Sequence, residues 1–566
     1  MIKTVKIRSG NLPEAWASIL EEVALRRMNE RGSVTKDESA GFTVALRTAD
    51  LPEDAYTLTP GKDGVMIEAS TLIGFFSGLG RFLRNSDFRP GEGFDPGTLS
   101  GTFTPDKPFR AIYYATHNYN FYHAAPAEEV ARYLEDSALW GQNALVVWYD
   151  MNHFTAVDTP ESQAFIAFIK RLFASAKRVG MKIAFTSNAN EAFFNSEPEL
   201  RADWMPQNGY FRKLNAHYHK EYCPSKPGGM EAILRDREAV LKAFSDVDLD
   251  YFITWPYDQG GCTCEKCRIW GANGYLKIAR AIRPLLNKYF PKAKMCLSAW
   301  YFDLFIRGEW DAFHEEIKNG DYREWISYVV VDFKHNEPIP KFLKEEKSVA
   351  GIPMLDFTEI SMFSASPWGG FGCNADPGRF SGIWERLSPL MAGGLPYSEG
   401  IHEDVNKIIM LGFFYGISDN VEDILREYCR FEFGTAVADK IVEVLDLFGG
   451  TVTRQFVQED YHPEGTSPYR YLIRSASNVD YIKGRVDEAE AMLDEETKRS
   501  WRWKLISLRA SIDAELKKDK GFVSEKTNGM FRELMEIYHT DERTAYCCAP
   551  PVPETVFHAL GTPYGR

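Results

Sequence analysis

A chain of 566 residues is longer than one hydrophobic core normally supports, so about two to four domains are expected. Its 44% hydrophobic and 14% aromatic content is globular, with rings to spare for stacking on sugar faces, although a large aromatic core is the more ordinary use of them. A formal net charge of -14 without any Lys/Arg run argues against nucleic acid as the main partner, and no apolar run approaches the roughly 18 residues of a membrane span.

The opening "MIKTVKIRSGNLPEAW" lacks the apolar stretch and cleavage pattern of a secretory signal, so a cytoplasmic location is expected. Up to about residue 105, short alternating runs ("IKTVKIRS", "FTVALRT", "AYTLTP", "GVMIEAS") and two helical segments ("LPEAWASILEEVALRRMNER", "TLIGFFSGLGRFLRN") predict a small α/β domain. The Pro/Gly-rich "FRPGEGFDPGTLSGTFTPDKP" reads as its connector. From Arg110 the rhythm changes to continuous apolar runs separated by helices: "AIYYAT", "ALVVWYD", "KIAFTSN", "KEYCPS", "YFITWPYD", "MCLSAWYFD", "SYVVVDF" and "IPMLDFTE". Strands buried on both faces and alternating with helices are what a closed (β/α)8 barrel requires, and residues 106–420 are assigned to one. Beyond residue 420, i, i+3, i+4 apolar spacing with dense charge opposite predicts a helical C-terminal region to residue 566.

Two groups of motifs carry a family resemblance. "YTLTPGKDGVMIEASTLIGFFSGLGRFLR" resembles the accessory domain preceding the catalytic barrel in glycoside hydrolases of families 20, 67 and 84. "ITWPYDQGGCTCEKC", with "EYCPSKPGG" before it and "PYSEGIHEDVNK" after it, looks like the barrel of bacterial glycoside hydrolases related to family 163. The resemblance spans about residues 40–435 and implies an N-terminal α/β domain, a TIM barrel, and cleavage of glycosidic bonds in oligosaccharides or glycans. The C-terminal helices are not typed by it.

Glycosidic cleavage needs a proton donor at the leaving oxygen and a second group at the anomeric carbon, so paired carboxylates at strand ends are the residues to seek. Asp258 ends the run "YFITWPYD"; Gln259 stands where families 20 and 84 place a second carboxylate, which weakens the case for their substrate-assisted mechanism. Its partner must then come from another strand end. Glu359 follows the last predicted barrel strand, and Glu399 lies in the Gly-flanked turn "PYSEG", an accessible place for an acid/base. Either could equally be a helix-start carboxylate bound to backbone N–H groups. Trp300 and Trp368 are the preferred stacking residues, with Trp148, Trp255 and Tyr301 in reserve; His117, Asn118 and Asn188 are candidate hydroxyl binders. Asp150, also counted as a substrate contact, and Asp332 read more naturally as rim hydrogen-bonding groups.

Cys262, Cys264 and Cys267 offer three thiolates in a C-x-C-x2-C run, and Cys223 can add a fourth from a neighbouring loop. Four sulfurs favour tetrahedral zinc with no open position, a structural site rather than a catalytic one. A disulfide from Cys223, or unlinked thiols, would also suit the spacing. No HExxH, P-loop, G-x-S-x-G or dinucleotide fingerprint is present, so no organic cofactor is expected. Two other readings compete with a glycosidase: a non-catalytic carbohydrate-binding protein on the same scaffold, and a zinc-dependent hydrolase. The oligomeric state is left open.

Overall fold

A computed structural model describes residues 1–117, 120–203, 220–257, 261–304, 306–333, 338–361 and 372–539. The first hundred residues build a six-stranded mixed sheet. Thr4–Ser9 lies between Thr35–Lys36 and Phe42–Thr48, and Gly64–Ala69, Tyr56–Gly61 and Gly101–Phe103 follow towards the other edge. The helices Glu14–Gly32 and Leu72–Asn85 accompany it. Leu72–Asn85 is buried almost all round because the helix Val421–Phe433 also lies against it. A Cβ at Gly80 would come within 1.9 Å of the Leu139 carbonyl oxygen, so this glycine permits the helix to sit on the barrel.

The central region is a closed barrel of eight parallel strands. In order they are Phe109–Tyr114, Ala144–Trp148, Lys182–Asn188, Tyr251–Trp255, Lys294–Ser298, Ile326–Val331, Met354–Asp356 and Met391–Gly394. Closure comes from Phe109–Tyr114, which pairs with both Ala144–Trp148 and Met391–Gly394. Alternate residues divide cleanly, as the two-residue period of a strand demands. Phe109, Ala111 and Tyr113, Val146 and Trp148, Ile253 and Trp255, and Leu355 and Phe357 fill the lumen; Ile112, Val147, Phe252 and Met354 face the surrounding helices.

Seven of the predicted barrel strands stand, and one does not. "KEYCPS" is not a barrel strand: Lys220–Glu221 forms a short antiparallel ribbon with Glu191–Ala192, in the excursion after the third strand. The eighth strand is instead "MAGG", which carries no branched apolar run to announce it. Its small residues are a packing requirement, because a Cβ at Gly393 would lie 1.7 Å from the Phe109 carbonyl oxygen across the closing seam. Asp258 therefore follows the fourth strand, Glu359 the seventh rather than the last, and Glu399 the eighth.

Past residue 420 the helices Val421–Phe433, Ala438–Leu447, Ala476–Glu490, Trp501–Lys518 and Glu525–Ile537 form the expected helical region, with an unforeseen antiparallel sheet of Val452–Gln458, Thr466–Ile473 and Phe522–Ser524. Buried charges join the three parts of the chain. Arg27 on the first helix meets Glu432 at 2.5 Å, and Arg502 reaches Asp136 and Asp404 on the barrel helices at 3.1 Å each. Each of these buried charges has an opposite partner, without which its desolvation would be strongly destabilising. Among the described residues no helix is long and apolar enough to cross a membrane.

Candidate active site at the barrel mouth

The lumen parity continues past the strand ends, and it carries His117, Asn188, Trp300, Glu359 and Glu399 onto the upper layer. The floor beneath them is aromatic. Phe357 lies 4.7 Å from Trp255 and 5.0 Å from Trp300 between ring centroids, Tyr113 lies 5.4 Å from Tyr397, and His117 lies 4.6 Å from Trp148. Trp300 is only partly buried. It opens a loop in which Tyr301 and Asp303 both adopt left-handed backbone, with φ of 61° and 64°, a conformation that non-glycine residues hold mainly where the surroundings enforce it.

Glu359 and Glu399 are brought together. Glu359 bridges Tyr397 across the seventh and eighth strand ends, and Glu399 is the next lumen-facing residue after Tyr397. One Glu359 carboxylate oxygen accepts from the Ser361 backbone N–H at 2.7 Å and from its hydroxyl at 3.2 Å, and Arg379 donates to the Glu359 carbonyl at 2.8 Å. Glu399 is fully buried. Its Oε1 accepts from the Tyr397 hydroxyl at 2.7 Å, while its Oε2 is buried without a hydrogen-bond partner. Burial raises the Glu399 carboxyl well above the usual range, and nearby Glu359 and Glu403 push it further against the Tyr397 hydrogen bond. A buried carboxyl that desolvation biases towards its neutral form, with one oxygen lacking a hydrogen-bond partner, therefore stands beside a carboxylate held by Ser361.

Asn188 is 1% exposed, and neither its amide oxygen nor its nitrogen has a partner. A buried unpaired amide at a mouth is a costly arrangement that a ligand's hydroxyl or amide groups would relieve. His117 accepts or donates at Nδ1 to the Tyr113 hydroxyl, 3.2 Å away, and its carbonyl meets His153 Nε2 at 2.9 Å. Asp150 caps the turn Met151–His153, accepting the Asn152 N–H at 2.9 Å, with His153 Nε2 at 3.2 Å. These contacts tie it to the turn at the rim. Asp258, Asn118 and Trp368 lie outside the described residues.

The four cysteines also converge. Cys223 follows the ribbon after the third strand, while Cys262, Cys264 and Cys267 follow the fourth. Their sulfurs all lie within 4.8 Å of one another, and Cys223 Sγ is 3.8 Å from both Cys264 and Cys267. A tetrahedron with metal–sulfur bonds of about 2.3 Å has edges of about 3.8 Å, so this donor set suits a metal ion. Asn190 stitches the same two loops, donating to the Tyr222 carbonyl at 2.9 Å and the Gly261 carbonyl at 3.3 Å.

Three polar residues escaped notice in the sequence. Glu403 Oε1 accepts from the Ser398 hydroxyl and the Glu399 N–H at 2.7 Å each, and from the Gly400 N–H at 2.8 Å. Its signal was available: a second carboxylate four residues after Glu399 in "SEGIHE" resembles a turn-capping pattern. Glu309 is buried and pushed up to about 8 by burial; it accepts from the Tyr257 hydroxyl at 2.6 Å and the Gly271 N–H at 3.1 Å, joining loops after the fourth and fifth strands. Asp356, raised to about 6 by burial, has the opposite parity from Leu355 and Phe357 and so faces away from the lumen.

No family model matches the chain, and no curated protein matches it. Solved structures do. A family 89 glycoside hydrolase from Clostridium perfringens superposes with a TM-score of 0.57 at 13% identity, covering 92% of this chain and 65% of its own. A family 115 4-O-methyl-α-glucuronidase with specificity for decorated arabinogalactans gives 0.56 at 11%, covering 97% and 78%. A family 20 β-N-acetylhexosaminidase from Streptomyces coelicolor gives 0.50 at 14%, covering 76% and 92%. At such identities the likeness establishes the fold.

Proposed function

We propose that this protein is a glycoside hydrolase acting on oligosaccharides or glycans, with Glu399 as the proton donor and Glu359 as the carboxylate facing the anomeric carbon. The observation that carries the reading is their juxtaposition: a fully buried carboxyl, raised by desolvation and with one oxygen lacking a hydrogen-bond partner, beside a second carboxylate above an aromatic floor. Such a pair supplies the acid and the nucleophile or base that glycosidic cleavage requires. Asn188 and Trp300 would hold the sugar by its hydroxyl or acetamido groups and by its face, and His117 would stand at the same mouth. Asp258 is proposed to act with this pair, and Trp368 to contribute a stacking contact to the sugar. That the structural neighbours bear names of enzymes acting on uronic or N-acetylhexosamine residues makes these the sugars to try first.

We also propose that Cys223, Cys262, Cys264 and Cys267 hold a structural zinc. Four thiolates would leave no position for water or substrate, so the ion would brace the loops after the third and fourth strands and take no part in the reaction. The chain is proposed to divide near residues 105 and 420 into accessory, catalytic and helical regions.

The deciding experiment is a screen of aryl glycosides and defined oligosaccharides with product NMR, followed by Glu399→Gln and Glu359→Gln on the best substrate. Turnover that collapses in both variants while sugar binding persists supports the enzyme. Binding without turnover in the parent protein would instead favour a carbohydrate-binding scaffold.

A further inference from the structure

The turn Ser398–Glu399–Gly400 is held by Glu403 and Lys407 from the helix that follows it and by Tyr538 from far along the chain. Glu403 collects its N–H groups and the Ser398 hydroxyl. The two outward-facing carbonyls are taken by other elements. Tyr538, beyond the last C-terminal helix, donates its hydroxyl to the Glu399 carbonyl. Lys407, wholly buried on the helix Asp404–Tyr415, donates Nζ to the Gly400 carbonyl, and to the hydroxyls of Tyr133 at 2.8 Å and Tyr122 at 3.0 Å. Tyr122 in turn meets the Ser398 hydroxyl at 2.5 Å.

The fit at Tyr538 leaves no slack. Gly400 has φ of 154°, and a Cβ there would stand 2.5 Å from the Tyr538 hydroxyl oxygen and 2.6 Å from Phe121 Cβ. A buried lysine is costly unless its charge is compensated, and burial does lower Lys407 to about 8 even with Glu403 and Asp404 close by. An apolar residue would pack there more cheaply. What the amine adds is a fixed donor to the backbone next to Glu399.

We infer that Tyr538 and Lys407 are positioning residues for Glu399, so that a barrel helix and, through Tyr538, the C-terminal region both hold a site built on the barrel. The inference rests on the reading of Glu399 as the proton donor. Each hydrogen bond fixes a backbone atom next to the residue whose carboxyl must meet the leaving oxygen, and a misplacement of about 1 Å costs roughly a hundredfold in rate. Both bonds are made to backbone carbonyls, so the two side chains act through the turn.

Tyr538→Phe and Lys407→Met, made in the full chain, test this. In the parent, slow hydrogen exchange is expected at the Glu399 and Gly400 amides; in either variant it should quicken about tenfold or more in the peptide spanning residues 395–403, while the barrel strands keep their protection. On a glycoside with a poor leaving group kcat should fall about tenfold with KM unchanged, and on a dinitrophenyl glycoside, which needs little acid assistance, the loss should vanish. Lys407→Arg should restore part of the rate. Exchange that is unchanged in the turn, or raised equally across all strands, would overturn the inference, as would equal losses on both substrates. If the parent cleaves no glycoside yet exchange quickens only in the turn, the positioning stands and the glycosidase reading falls.

Discussion

Two sides of the barrel mouth are braced in opposite ways. After the third and fourth strands, two loops bring four sulfurs within 4.8 Å of one another. After the seventh and eighth strands, hydrogen bonds converge on the backbone of one turn and leave a side-chain oxygen of Glu399 unbonded. In the first arrangement every donor is consumed by the brace. In the second the brace consumes main-chain groups and spares the carboxyl. On the functions proposed above, that difference would separate a structural site from a chemical one, and it is a surer guide than the presence of reactive residue types, which both sides have.

The sharpest way to break the comparison is Glu399→Gln. As a general acid it should contribute about 10²–10⁴-fold, so kcat on a glycan with a poor leaving group should fall at least a hundredfold while circular dichroism stays unchanged. Glu359→Gln should cost a similar factor. A variant near wild-type turnover would reduce the turn to a structural feature.

On the other side, Cys264→Ser or a strong chelator should act on stability. Metal analysis of protein purified without added zinc is expected to give close to one ion per chain, and loss of one ligand should lower the melting temperature by several degrees. Activity should decline only as the fold does. Chelation that stops turnover at an unchanged melting temperature would reverse the roles of the two sides.

A pH series sharpens the contrast further. Because burial raises the Glu399 carboxyl above its ordinary value of 4.5, the folded chain holds that proton more tightly than the unfolded chain does. The resulting stability is complete below pH 4.5 and is lost as pH rises from there through the folded-state value. Glu399→Gln should flatten that decline in urea unfolding measured across the range. Glu309, raised to about 8, adds a decline of the same sign between pH 4.5 and 8, which should survive in the Glu399 variant. The smallest effect expected is at Trp300: replacement by Ala should raise KM roughly two- to tenfold, the worth of one stacking face, with little change in kcat.

Much of this was legible from residue order. Seven barrel strands announce themselves as continuous apolar runs, since a strand covered on both faces has no polar side to show, and the cysteine spacing announces its own cluster. The eighth strand was silent. "MAGG" is short and small because the closing seam admits nothing larger beside Phe109, a demand set by the opposite end of the barrel. Missing it displaced "KEYCPS" into the barrel and moved Glu359 to the last strand. The upper-layer residues were each noticed singly, yet the parity that groups His117, Asn188, Glu359 and Glu399 can be counted along the strands once these are in register.

By itself, then, the residue pattern determined the architecture and the kinds of side chain at the mouth, because periodicity and residue type are local properties that survive in one dimension. Which carboxyl is fully buried, and that Tyr538 and Lys407 reach the turn of Glu399, were decided only in the folded chain. Tyr538 lies 139 positions from Glu399 in sequence. Desolvation and hydrogen-bond geometry depend on what surrounds an atom from every side, and only the tertiary structure assembles those surroundings.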